Sequence, residues 1–536
     1  MIYINQFIFN ISKQLRKFYL NSRLYDKKIS KINHKDLIYK PSPHLLASLI
    51  KYQKKKIRIE DFSLEEVWDN NNLNNKEFKK LNSFNWFFSL DLKSSKQITQ
   101  SVIRSWINNN HKYNDKSWDF DLTAKRIIAW LSCHSLTYEE SDEDYKSNFN
   151  NIIQKQTNHL INEINRSNLI DDKLIGCSSI ILTGLCYRNE KNYLSYGSML
   201  LKKISKLVLD NYGFPKSRNI KQLIFYLKYF ILIREWFKES QVDIPEHIDE
   251  TIYYLGQSYA FFSLNSNSDF LFNGNNISNN DEFNNYLKRF GYKFKNENQD
   301  FGGYIIFKNK KICLTMDTGS TPSMKNTRDY QCGALSFEII SNGKKLISNC
   351  GYYKKKNSKL NQLSKSSATQ STLVIDDNSS CKFTKIQDYY LIKNGLKIIN
   401  KNYIFDKNYW KINASHDGYL KQYGIIHDRE IEFYPEQMKF IGHDKILYKN
   451  KYKNLKLEIR FHLEPAVKLM KTQDNKTILI ELNDEGWKFT CDNYDISIDN
   501  GLYFGNKNLY TENQNIFITG ISSNQTENIK WKIKKI

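Results

Sequence analysis

His416, in the run Ser415-His416-Asp417-Gly418-Tyr419, is the side chain best suited to move a proton near neutral pH. It sits at a strand end, and Asp417, its neighbour in sequence, points to the opposite face and need not orient it. The same imidazole serves equally well as a hydrogen-bonding part of a sheet. Arg218, in Ser217-Arg218-Asn219 at the start of a helix, carries a planar fork that suits a carboxylate or sulfate through two bonds. A helix-terminus salt bridge is the competing use. Trp86, Trp106, Trp118 and Trp130 have faces that stack on sugar rings, yet their helical setting suits core packing as well. No Gly-rich phosphate loop, G-x-S-x-G elbow or H-E-x-x-H motif occurs. The eight cysteines form no C-x-x-C pair, which predicts reduced structural thiols.

The elements that must position these groups fall into two kinds. From Phe84 to about Leu264 apolar residues recur at helical spacing, in Ile98–Asn108, Leu122–Leu136, Tyr145–Asn165, Leu174–Tyr187, Tyr193–Leu209, Gln222–Phe237 and Ile248–Phe262. Short joints between them predict an antiparallel α/α array. Asn265–Asn280, rich in Asn, Ser and Gly, reads as a linker. Beyond about Asn285 short alternating runs predict strands, at Tyr304–Phe307, Lys311–Met316, Leu373–Ile375, Leu455–Phe461 and Thr477–Leu482. Asn342-Gly343 between two apolar runs predicts a type I′ hairpin. The fold class is therefore α+β multidomain: an N-terminal segment (1–80), a helical domain (81–265), a linker (266–284) and a large antiparallel β-sandwich (285–536).

A net charge of +23 invites a polyanion, either an acidic polysaccharide or a nucleic acid. Lys supplies most of the 80 basic residues, and Asn and Ile are abundant throughout, so coding bias accounts for the charge equally well. Without a helix-turn-helix or RNP-like motif, nucleic acid is not expected. The apolar N-terminus, Met1 to Asn10, precedes its basic residues, the wrong order for a secretory signal. No run reaches the ~20 apolar residues of a membrane span. The expectation is a cytoplasmic chain, with the periplasm as the alternative; the oligomeric state stays open.

Several further runs stand in a fixed order along the chain. They are Ser117-Trp118-Asp119-Phe120 with Arg126 and Trp130, Ser217-Arg218-Asn219, and Leu271-Phe272-Asn273-Gly274. The sandwich half adds Leu335-Ser336-Phe337-Glu338, Ser415-His416-Asp417-Gly418-Tyr419, Ile426-His427-Asp428-Arg429, Arg460 to Pro465 and Gly486-Trp487-Lys488-Phe489. Together they span roughly residues 80 to 536, and in this order they resemble the heparinase II/III-like family of polysaccharide lyases, whose fold is an α/α toroid followed by a β-sandwich.

The resemblance implies β-elimination at a uronate: a cation neutralises the acid group, a base removes the C5 proton and an acid protonates the leaving oxygen. Where family members carry two His and one Asp for zinc, this chain has Gln331, Asn349 and Gln370, poor zinc ligands. We expect them to hydrogen-bond one another and the backbone, with no metal and no cofactor. The family's catalytic His position falls at Asp329 and its catalytic Tyr position near Gln222, with Tyr226 and Tyr330 as substitutes. Near Asp171-Asp172, where a lyase would carry an Asn, a carboxylate would repel a uronate. His159 is expected on a helix surface. The catalytic candidates are thus Arg218, Tyr226, Asp329, Tyr330 and His416, and the substrate-binding candidates Trp118 and Arg126. The implied function is a polysaccharide lyase acting on an anionic polysaccharide, or a descendant that binds glycan without cleaving it.

Overall fold

A computed structural model describes residues 2–31, 36–49, 74–89, 96–167, 169–188, 191–263, 269–278, 280–355, 358–386, 388–449, 454–506, 509–522 and 525–536. The chain divides into two compact units, one of Met1–Val208, Phe225–Tyr253 and Asp281–Tyr292, the other of Leu209–Ile224, Tyr254–Asn280 and Lys293–Ile536.

The first unit is helical. Helices Lys96–Asn110, Phe120–Ser132, Glu143–Glu163, Ile170–Cys186 and Lys191–Val208 follow the expected runs closely, and helices Ile220–Glu239 and Glu246–Phe262 continue the series along the chain. The expected Leu122–Leu136 run breaks after Ser132, because Thr137 turns its hydroxyl onto the Trp130 carbonyl (2.7 Å) and closes a separate turn, His134–Thr137. Ile170–Cys186 is apolar on every side from Leu174 onward and is buried on every side there, the signature of a central helix. Gly184 lets it approach its successor: a Cβ there would stand 2.7 Å from the Leu194 nitrogen. No helix among the described residues is long and apolar enough to cross a membrane.

The second unit is built from antiparallel sheets. Its strands are β1 Asp300–Phe301, β2 Tyr304–Lys308, β3 Ile312–Asp317, β4 Phe337–Ser341, β5 Lys344–Ile347, β6 Leu373–Ile375, β7 Lys382–Ile386 and β8 Tyr389–Asn394. Then come β9 Ile398–Phe405, β10 Trp410–His416, β11 Ile425–Tyr434, β12 Lys439–Tyr448, β13 Lys456–Phe461 and β14 Lys468–Lys471. The series ends with β15 Thr477–Leu482, β16 Glu485–Cys491, β17 Asp495–Tyr503, β18 Thr511–Ile521 and β19 Glu527–Lys535. They form a five-stranded sheet in the order β1-β2-β3-β4-β5 and an eight-stranded sheet in the order β14-β15-β16-β19-β12-β11-β10-β9. A four-stranded sheet, β17-β18-β13-β6, and the β7-β8 hairpin complete the unit. Asn342 and Gly343 both take positive φ, 44° and 80°, the signature of the expected type I′ turn.

Alternation along the strands fixes what faces inward. In β11 every second residue is buried, which turns Ile425, His427, Arg429, Ile431 and Phe433 to the core. From β12 and β19, Phe440, Asp444, Trp531 and Ile533 meet them. The Trp531 ring stacks on Phe337 of the five-stranded sheet at 5.4 Å and 9°, a direct contact between layers.

The Asn-rich stretch expected as a linker is built into the second unit where it is described; residues 264–268 and 279 lie outside the described residues. Phe270 to Asn276 are buried, and the amides do the work of a ladder: Asn276 Nδ2 donates to the carbonyls of Tyr352 and Phe504, each at 2.7 Å. Asp281–Arg289, partly inside the expected linker, is a helix whose apolar residues Phe283, Tyr286 and Leu287 are buried. All eight cysteines are buried and unpaired by disulfides.

Gly442 of β12 lies opposite Trp531, and a Cβ there would meet the indole at 2.0 Å. Gly442→Ala should therefore lower stability by roughly 1–3 kcal/mol through overpacking, read as a lower urea midpoint with an unchanged denaturant slope.

Candidate functional site

The Ser217-Arg218-Asn219 turn opens the helix Ile220–Glu239, and Arg218 sits there with φ 60°, a left-handed backbone unusual for arginine. Its guanidinium lies in a cradle of glycines. Nη2 donates to the Gly303 carbonyl (2.8 Å) and Asp317 Oδ1 (2.7 Å), Nη1 to the Gly319 carbonyl (3.1 Å) and Nε to the Gly302 carbonyl (3.3 Å). The plane also covers the Tyr304 ring at 4.5 Å. A Cβ on Gly319 would sit 2.2 Å from the Arg218 guanidinium carbon, so glycine is required for the approach. Burial opposes the charge, but the Asp317 carboxylate overrides it and Arg218 stays firmly protonated. Arg218 is thus committed to backbone and Asp317, which sets its fork to fastening the turn.

Asp317 continues the network. Its Oδ2 accepts from Asn273 Nδ2 (3.1 Å), which also bonds the Tyr304 hydroxyl oxygen (2.6 Å), and that hydroxyl donates to the Arg218 carbonyl (2.9 Å). Gly274 packs against both Asn219 and Asp329. A cavity of about 410 Å³ opens beside this cluster, with Phe214, Pro215 and Pro322 as apolar walls and Lys216, Ser323 and Asn326 as polar ones. Apolar faces with a few polar groups and a cation are the usual lining of a small-molecule site.

Asp329 is partly exposed and accepts the Tyr352 hydroxyl at 3.0 Å and the Arg328 guanidinium at 3.2 Å. Burial pushes its carboxyl up, yet Arg328, Lys365 and Lys354 outweigh that and hold it below the usual carboxylate range. Burial and Asp329 together raise the Tyr352 phenol well above its ordinary value. Lys365 is buried, donates to the carbonyls of Arg328 and Tyr390, and is lowered by burial to about 8. Tyr330, expected as a proton carrier, belongs to a small apolar cluster with Cys332, Cys381, Ile392 and Leu396.

Two of the three amides, Gln331 and Asn349, hold backbone. Gln331 accepts from Gly274 N (3.0 Å) and donates to the carbonyls of Gly351 (2.9 Å) and Ser364 (2.5 Å). Asn349 accepts from Ser371 N (2.8 Å), and Gln370 donates to the Thr369 hydroxyl (3.2 Å). They do not bond one another, a correction to the expected amide cluster. Among the described residues no group of three or more His, Cys, Asp or Glu is arranged to hold a metal ion.

His416 is buried at the end of β10, opposite His427 of β11. Gly418 N–H donates to His416 Nδ1 (3.0 Å), so the neutral ring carries its proton on Nε2, which faces His427 Nδ1 at 3.4 Å. His427 Nε2 in turn donates to Asp444 Oδ1 (2.7 Å). Burial is the first cause that lowers both imidazoles, with His427 and Arg429 adding to it at His416. Asp444 also accepts from Arg429 Nε (2.7 Å) and Trp531 Nε1 (2.9 Å).

In the helical unit Tyr226 is buried, and its hydroxyl donates to Asp171 at 3.3 Å. Gln222 accepts the Ser217 hydroxyl at 2.5 Å in the second unit. Trp118 and Arg126, expected to meet substrate, are interior: Arg126 is 0% exposed, donates to Gln156, Thr123 and the carbonyls of Asn82 and Ser117, and stacks on Trp106 at 4.0 Å. His159 is buried rather than on a helix surface. Its Nδ1 lies 2.7 Å from the Tyr25 hydroxyl, and burial lowers it to about 3. Sequence reasoning missed Tyr352 and Lys365; neither lies in a periodic run, and only tertiary contact brings them to Asp329.

Residues 297–532 match the family model of the heparinase II/III-like C-terminal domain. Among solved structures, a mutant of heparan sulfate lyase HepC from Pedobacter heparinus aligns with a TM-score of 0.68 at 12% identity, over 96% of this chain and 87% of that one. The heparinase III BT4657 gene product gives 0.68 at 14% over 94% and 85%, and a further heparinase III gives 0.67 at 12% over 96% and 88%. No curated protein sequence matches the chain. A helical domain followed by an antiparallel β-sandwich of this kind is a polysaccharide lyase-like fold. Residues 297–532 of this chain are thus a heparinase II/III-like C-terminal domain.

Two outcomes follow from the geometry. Arg218→Met leaves Asp317 buried without its counter-ion and should cost about 3–5 kcal/mol of stability, measured by urea unfolding. For His416 the folded ring stays neutral while the unfolded one takes a proton near pH ~6.5, so stability falls as pH drops below that value. His416→Asn keeps an acceptor for Gly418 and should flatten the stability slope between about pH 6.5 and 5.5 by up to ~1.4 kcal/mol per pH unit.

Proposed function

We propose that this lyase-like protein binds an acidic, uronate-containing polysaccharide at the cavity beside Arg218 and holds it without the elimination step. The observation that carries the reading is the state of Asp329. At the position where the family resemblance places a histidine stands a carboxylate kept ionised by Arg328, Lys365 and Lys354, too weak a base for a C5 proton. Gln222, near the tyrosine position, accepts a hydroxyl and has no proton to exchange at neutral pH. The cavity supports binding: Lys216 offers charge to a sugar acid, and Phe214, Pro215 and Pro322 offer apolar faces to a ring.

One observation favours the lyase reading instead. The Tyr352 hydroxyl, 3.0 Å from Asp329, forms a phenol–carboxylate pair in which the phenol stays protonated and suits the protonation of a leaving oxygen. A panel of uronate-containing polysaccharides separates the two, because elimination leaves an unsaturated uronate that absorbs in the ultraviolet. Binding that weakens with salt while absorbance stays flat, and that Lys216→Ala weakens by about tenfold, the scale of one charge-assisted contact, supports the binding protein. Rising absorbance that Tyr352→Phe lowers by on the order of a hundredfold establishes the lyase and rules out the binding-only reading.

A further inference from the structure

A second cavity has a volume of about 280 Å³. The segment after Gly319 connects its lining to that of the first. Ser320, Pro322 and Ser323 line the first cavity. Thr321, between them, turns the other way: its Oγ1 accepts from Leu396 N (3.0 Å) and lies 3.6 Å from Cys381 Sγ. Its side chain also fills the space above Gly395, where a Cβ would stand 2.6 Å away. Cys381 and Gly395 line the second cavity. Thr321 thus packs against two residues of the second lining while its neighbours on either side line the first.

The second hollow has the chemistry of an acidic sugar site. Lys382 and Lys421 stand exposed on its lining, and neither makes an ion pair or a side-chain hydrogen bond among the described residues. Asp417 keeps one carboxylate oxygen on Lys397 N (2.6 Å), which fixes the side chain and leaves its second oxygen to accept from a ligand. Asn394, paired with Lys382 across the β7-β8 hairpin, adds an amide that both donates and accepts. Two ammonium groups match one carboxylate or sulfate, and the carboxylate and amide match a pair of hydroxyls. The volume is just under the ~300 Å³ at which small-molecule sites begin, room for a single ring. Thr321, whose neighbours line the first cavity, touches Cys381 and Gly395 of the second, which brings the two linings within reach of one polymer.

We propose that the second cavity is a subsite for one acidic sugar residue of the same polymer, so that the chain grips its polysaccharide on both sides of the 319–326 segment. The proposal rests on polysaccharide binding at the first cavity. Two tethered contacts raise affinity through effective concentration, and only a ligand long enough to span both gains from it.

Calorimetric titration of the full chain with size-fractionated oligouronates, from disaccharide to octasaccharide, tests this, with a sulfated series as a second arm. The octasaccharide should bind about tenfold or more tighter than the disaccharide, the lower end of a tethered gain. In the Lys382→Ala/Lys421→Ala double variant that ratio should collapse toward one; both lysines are exposed, so the variant is expected to fold. The arm in which the collapse occurs identifies the anion as carboxylate or sulfate. A ratio that survives in the double variant in both arms overturns the second subsite. A ratio that collapses there, while Lys216→Ala affects no ligand, overturns the first-cavity reading and leaves the second standing. Absence of binding by every oligosaccharide overturns both.

Discussion

The sandwich is organised around a charge pair sealed between its layers. Arg429 and Asp444 are both 0% exposed and meet at 2.7 Å, on adjacent strands of the eight-stranded sheet. Taking such ions out of water costs several kcal/mol each, and the site offsets this because most of the remaining atoms are engaged, Arg429 Nη2 being the exception. Arg429 Nη1 donates to the carbonyls of Leu335 and Ser371, and Asp444 takes the Trp531 indole and the His427 imidazole as well. The pair therefore binds the eight-stranded sheet to the segment entering β4 and to the one entering β6. His416 belongs to this interior arrangement. Its motif is a piece of core wiring, with Gly418 at one end and Asp444 at the other.

Arg218 repeats the same physics at smaller scale. Again an arginine is buried with one aspartate and spends its other donors on backbone carbonyls, here those of three glycines. Arg126 does so in the helical unit without any carboxylate. The guanidinium, which offers five donors in a fixed plane, is the cation this protein uses for internal joints. Its excess of positive charge toward solvent is carried by lysine, which grips less specifically and yields to salt.

Fold was legible where a local period or a turn residue determines structure on its own. Helix ends fell within a few residues of the periodic runs, and Asn342-Gly343 gave the hairpin because only positive φ at both residues closes that turn. The site was legible only as a frame. Arg218, Asp329 and His416 were found as residues, but whether each faces solvent or core depends on partners far away in sequence: Gly303 and Asp317 for Arg218, Tyr352 for Asp329, His427 for His416. His159 shows the same limit, since the Tyr25 hydroxyl that buries it lies 134 residues away. Composition misled at the Asn-rich stretch, where the amides that suggest a solvated linker are buried and satisfy backbone groups.

The buried thiols give the molecule a property of their own. Burial raises Cys133 and Cys177 in the helical unit and Cys350 in the sandwich, and raises Cys313 to about 12, so the fold disfavours the thiolate at each. Alkylating reagents act on the thiolate, so in the native protein these sulfurs are silent. Each starts to react only when the segment around it opens. These four cysteines are thereby a set of clocks spread over both units, and the order in which they start would chart which part of the protein comes apart first.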